Sequence, residues 1–91
     1  MSDAPEELPE ARFEHLVMQL YTQAAIALGE MPSPMDGSTE VSLPRARFSI
    51  DLLGILEAKT RGAREEAESE LLTKALQHLR MAWVRRSHEG A

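Results

Sequence analysis

Three histidines (His15, His78 and His88) and a run of carboxylates (Glu65, Glu66, Glu68 and Glu70) are the side chains of this 91-residue sequence that could bind a metal or move a proton. Their spacing argues against both. No Glu-x-x-His occurs, so the signature of di-iron helical bundles is missing, and no His-Glu-x-x-His occurs either. His78 has no second ligand placed for it and reads as a residue bordering an apolar stripe. The four glutamates open a helical segment, where acids complement the positive end of the helix dipole. Paired catalytic acids would need a cleft that perturbs their pKa values. Zero cysteines exclude a disulfide framework, a thiolate nucleophile and any Cys-based zinc or iron–sulfur site. Thr60-Arg61-Gly62 has no Walker-type companion. The sequence therefore predicts no catalytic residue, no cofactor, no metal ligand and no enzyme, and it names no activity.

A basic and aromatic group, Arg80, Trp83, Arg85 and Arg86, suggests contact with phosphates, and with Arg61 and Arg64 it supports an alternative reading as a nucleic-acid-associated accessory protein. The charge balance weighs against it. Net charge is −5, and a nucleic-acid binder usually carries a strongly basic face. The acids cluster early: Asp3, Glu6, Glu7, Glu10, Glu14, Glu30, Asp36 and Glu40 stand against Arg12 alone in the first forty residues. Most such runs face solvent; the sharper reading has the acidic N-terminal tail screening the basic C-terminal end, within or between subunits.

The elements that must carry these residues are helical. Residues 1–8 read as a disordered acidic tail, with Pro9 suited to a first helical turn. Phe13, Leu16, Val17, Leu20, Tyr21, Ala24, Ala27 and Leu28 fall within an arc of roughly 140° at ~100° per residue, predicting a helix over about 9–28 that stops at Gly29. Residues 30–43, with Pro32, Pro34 and Asp36-Gly37, form a long loop anchored by little beyond Met31, Met35 and Val41. A second helix spans about 44–60, with Ser42 as a cap or Pro44 in its first turn and Arg47 paired to Asp51 at i,i+4. After the break at Arg61–Gly62 a third spans about 64–86, its stripe made of Leu71, Leu72, Ala75, Leu76, Leu79, Ala82 and Trp83. Residues 87–91 are a tail, and 9–86 form one domain.

The second helix is more apolar than one chain requires. Ala46, Phe48, Ile50, Leu52, Leu53, Ile55 and Leu56 sweep roughly 220° of the wheel, well beyond the ~100° stripe of an ordinary surface helix. The expected fold is all-α, a three-helix bundle or flat helical layer completed by homodimerisation. Phe48, Leu52, Ile55, Leu56 and Trp83 are the candidate interface residues. Gly54 and Ala58, beside the polar strip, would permit a close helix crossing. Met18 and Met81 lie off their stripes, as adaptable binding surfaces often have them. The expected function is an interaction module, a homodimeric adaptor or small regulator. Its partner is a second copy, in a dimer or higher homo-oligomer, or another protein. With no apolar run near ~20 residues and an acidic start unlike a signal peptide, no membrane partner is expected and the cytoplasm is the expected location.

The segments FEHLVMQLYTQAAIALG (13–29), ARFSIDLLGILEAKTRG (46–62) and EAESELLTKALQHLRMAWV (66–84) resemble, in order and spacing, a family of small bacterial proteins, domain of unknown function 1844. The family's pattern runs Phe…Leu-Gly, a Pro/Gly loop, Ala-Arg…Ile-Asp-x-Leu, a Lys-Thr-Lys-Gly turn and a closing Leu-Leu…Leu-Arg helix. This chain departs from it after Gly62, with Ala63-Arg64-Glu65 where the family shows Asn-Leu-Thr. The resemblance implies an all-helical cytoplasmic domain and brings no catalytic residues.

Overall fold

A computed structural model describes residues 6–90. It contains three helices in chain order: α1 (Phe13–Ala27), α2 (Leu43–Lys59) and α3 (Glu66–Glu89). The expected disordered tail lies mostly outside the described residues. Its last part, 6–8, is exposed and without regular structure.

Three helix boundaries differ from expectation, each for a local reason. The first helix begins at Phe13 rather than Pro9. Glu10 and Ala11 are exposed, whereas Phe13 packs on the core. The Arg12 N–H is capped by the His15 Nδ1 at 3.0 Å. The third helix begins at Glu66, not Arg64, because Arg64 is used elsewhere and Glu65 is the cap, its N–H donating to Glu68 Oε1 at 2.7 Å. It also continues past Arg86 to Glu89, so most of the expected tail is helix. The Arg86–Glu89 ion pair at 3.3 Å and the Gly90 N–H on the Arg86 carbonyl hold that last turn.

Gly29 terminates α1 with φ +78°. Its N–H bonds the Ile26 carbonyl, and the Glu30 N–H bonds the Ala25 carbonyl, at 3.0 and 2.9 Å. That pair of bonds is a Schellman closure, which only a left-handed residue completes. The following loop is internally bonded. Gly37 N–H donates to the Ser33 carbonyl and Ser33 N–H to the Ser38 carbonyl, at 2.8 and 2.7 Å. Ser42 then returns to α1 through its N–H on the Ala27 carbonyl, and its hydroxyl caps α2.

Long-range contacts define the topology. The Tyr21 and His78 rings lie 5.9 Å apart, and further along, Arg86 lies against Gly29, so α1 and α3 run parallel. Trp83 donates to the Leu43 carbonyl at one end of α2, and Arg64 donates to the Glu57 carbonyl at the other, so α2 and α3 are antiparallel. The order is up-down-up.

All three helix pairs pack on one another. The arrangement is thus a bundle and not a flat layer in which α2 separates its neighbours. Its core is built of small and medium residues: Ala24, Ala27, Ala46, Ala75 and Ala82 beside Val17, Leu28, Ile50, Leu53, Leu72, Leu76 and Leu79. Five of these twelve residues are alanines, which bury little area each. Each fully buried leucine or valine contributes about 1.5–3 kcal/mol. Phe48 and Ile55 of α2 are left outside this core.

Candidate functional site

The five candidate interface residues divide into two groups. Leu56 and Trp83 pack against their own chain's core. The Trp83 indole N–H also donates to the Leu43 carbonyl at 3.0 Å, and the Arg47 guanidinium sits 5.6 Å from the ring centroid. Both ends of that tryptophan are therefore engaged within the chain. Phe48 and Ile55 are 65% and 57% exposed, with Leu52 half-buried between them. Their i, i+4, i+7 spacing puts these three on one face of α2.

That face continues onto two other elements. Phe48 lines a cleft of about 1080 Å³ with Gln23 and Ile26 of α1, Met35 and Val41 of the loop, and Arg45. Leu16 lies seven residues before Gln23, hence on the same side of α1, and is 51% exposed. Because α1 and α2 run in opposite directions, Leu16 is level with the second half of α2. Exposed apolar side chains thus occur on both helices, Leu16 on α1 and Phe48 and Ile55 on α2. Patches of this kind on small monomeric domains mark sites of association more often than bare surface.

Of the basic residues, Arg64 is the one that holds two helices together by hydrogen bonds. Arg64 donates from Nη1 to the Glu57 carbonyl at 2.7 Å and to Thr60 Oγ1 at 3.2 Å, and from Nε to Ser69 Oγ at 3.0 Å. It ties the end of α2 to the start of α3. Arg86 is paired with Glu89, Arg85 lies 3.9 Å from Glu30, and the Arg80 guanidinium lies over Gly54. Gly54 therefore makes room for a side chain rather than for a close backbone crossing. Arg61 is exposed in the turn. These arginines do not form a single basic face with Trp83.

The histidines have local roles that spacing alone did not show. His78 donates Nε2–H to Glu30 Oε1 at 2.8 Å, across 48 positions of sequence. With Tyr21 and Arg85 this forms a polar seam that pins the residue just after α1 against α3. His15 caps α1, and exposed His88 lies near the end of α3. The pairing of Glu30 with His78 was missed because Glu30 sits in a segment with no periodicity. Of the carboxylates, Glu65 and Glu68 close the α3 cap. Among the described residues no three or more His, Asp or Glu side chains gather as they would around a metal ion. No helix there is long and apolar enough to cross a membrane.

The Asp36 carboxyl has a lowered pKa. Asp36 Oδ1 accepts the Ser38 N–H at 2.9 Å, and that bond holds its carboxyl below the ordinary value of 3.8. It is a turn-forming aspartate, fully exposed, and its shift points to local loop structure rather than to acid–base chemistry.

Comparison with known proteins gives no match among curated proteins or solved structures. One family model does match, over residues 10–85, which takes in all of α1 and α2, the loop between them and nearly all of α3. The helix-ending Gly29, the Arg47–Asp51 pair and the Gly62 turn all lie inside that span, and the chain belongs to the family described as Domain of unknown function (DUF1844).

Proposed function

We propose that the protein is a non-enzymatic interaction module that pairs with a second copy of itself through the outer face of α2. The exposure of Phe48 and Ile55 on either side of Leu52 is the observation that carries this reading. A two-fold axis passing near Leu52 would set Phe48 of each copy against Ile55 of the other, so one patch serves both partners. Leu16 would extend the contact, and the Phe48 cleft would receive side chains from the partner's helix. As a homodimer the module would act as an adaptor or small regulator. The nucleic-acid reading is weaker, because Arg64 and Trp83 are already bonded within the chain.

Light scattering at micromolar concentration tests the proposal, with an expected mass twice the 10.1 kDa of the chain. Phe48→Glu and Ile55→Glu change residues that are exposed in the single chain, so each should keep its helical circular dichroism. Each should weaken association by about 30-fold or more, as expected for a residue contributing ~2 kcal/mol at the centre of an interface. Leu56→Asp places a charge against the core and should lose fold and association together. A wild-type chain that stays monomeric at these concentrations would overturn the reading.

A further inference from the structure

The outer face of the last turns of α3 is a second surface that its own chain leaves open. Met81 and Val84 are 69% and 51% exposed. Together with Arg80, Arg85 and His88 they line a shallow, largely apolar trough bordered by two arginines, the Arg80 guanidinium leaning toward Gly54. Glu89 also borders it, but its carboxylate is drawn to Arg86 at 3.3 Å. Arg85 is only loosely held by Glu30, at 3.9 Å. An apolar floor bordered by arginines fits a short extended segment that carries one apolar side chain among acids.

The chain contains such a segment, Glu6-Glu7-Leu8-Pro9-Glu10. It is exposed and not helical, and Leu8 is 77% exposed. Pro9 biases Leu8 toward an extended backbone, which lowers the cost of ordering the segment on a surface. Within one chain the segment reaches at most the near end of the trough, at Met81, and cannot lay Leu8 beside Val84. Tyr21 is level with His78, and α1 runs parallel to α3. Phe13 therefore lies about 21 Å along the axis from Val84, at 1.5 Å per helical residue. The five residues from Leu8 to Phe13 span at most about 17 Å fully extended, before any detour around α3.

We propose that residues 6–10 of one copy dock on the Met81–Val84 trough of a second copy. Leu8 rests on the apolar floor, and Glu6, Glu7 and Glu10 face Arg80, Arg85 and His88. The exchange is reciprocal, each tail reaching the other copy's α3. This contact stands apart from the α2 face and does not rest on it.

The absence of cysteine allows a unique spin label at Ala11→Cys, which leaves Leu8 and the acids intact. Spin-labelled chain without ¹⁵N is mixed with ¹⁵N-labelled chain without a spin label, so every broadened amide reports contact between copies. The expected result is broadening centred on residues 80–88. It should disappear in Arg80→Glu/Arg85→Glu and in 1 M salt, where the screening length is about 3 Å. It should return when that variant is mixed with a spin-labelled chain carrying Glu6→Arg/Glu7→Arg. The same pattern is expected in Ile55→Glu, so failure of the α2 interface and failure of the tail contact are read separately. Absence of broadening at 80–88 in the wild-type mixture, its confinement to α2, or its loss in Ile55→Glu would overturn the proposal.

Discussion

The indole N–H of Trp83 donates to the backbone carbonyl of Leu43 at 3.0 Å, joining the last part of α3 to the first residue of α2. The ring also packs on the core and lies under Arg47. Trp83→Phe keeps most of the packing and loses the hydrogen bond, so a loss of about 1 kcal/mol is expected. Trp83→Ala removes both and should cost at least about 2 kcal/mol more. Urea unfolding of the two variants measures the difference. Equal stability of Trp83→Phe and Trp83→Ala would show that the ring carries no packing weight.

Gly29 and Gly62 both have left-handed backbones, at φ +78° and +87°, but their surroundings differ. A Cβ on Gly62 meets nothing within 4 Å, whereas one on Gly29 would sit 2.9 Å from Val41 Cγ2 and 3.2 Å from the Thr39 carbonyl. Gly62→Ala should therefore cost only the backbone term of about 1–2 kcal/mol. Gly29→Ala should cost more, because the returning loop has to move as well. Thermal melts of both variants would rank them, and the reverse order would contradict the packing of the loop on α1.

Arg64 makes three hydrogen bonds that bridge α2 and α3. Arg64→Ala should lower stability by about 1–3 kcal/mol. Arg64→Lys should recover little of it, since an ammonium cannot reproduce the fork that reaches Glu57 and Ser69 at once. Denaturant midpoints would decide, and full rescue by lysine would reduce the role of Arg64 to charge alone.

The Asp36 carboxylate should make the Asp36–Ser38 turn sensitive to acid. Its folded pKa is lowered by the bond from the Ser38 N–H, so the ionised form favours the closed turn. That contribution is present above the ordinary value near 3.8 and is lost as pH falls through the lowered folded value. An NMR titration should show the Ser38 amide losing its downfield position only below the normal carboxylate range, and Asp36→Ala should lack the transition. A Ser38 amide shift that titrates in the usual aspartate range would contradict the bond.

Helix identity was legible because it depends on near-neighbour spacing. Val17, Ala24 and Leu28 pointed inward as expected, although Leu16 at the edge of the same stripe is exposed; Gly29 stopped its helix, and Arg47 met Asp51 at 3.3 Å. Helix ends were less legible, because they are set by whichever partner takes up a free backbone group. His15 at Arg12 and the commitment of Arg64 to Glu57 are contacts that periodicity does not encode. The candidate interface shows the same limit. Leu56 and Trp83 were expected at the interface with Phe48 and Ile55, yet the first two pack on their own core and the last two are exposed.

The sequence by itself determined that the three main segments are helices and that the apolar residues of α2 sweep a wider arc than a single stripe, because both depend on residue type at fixed angular spacing. Only the tertiary structure decided which part of that surface is left bare. α1 and α3 touch each other as well as α2, so they cover Ala46, Ile50 and Leu53 and leave Phe48 and Ile55 open to water. The joining of Glu30 to His78 was likewise decided in three dimensions, since it depends on two helices lying parallel and not on any local pattern.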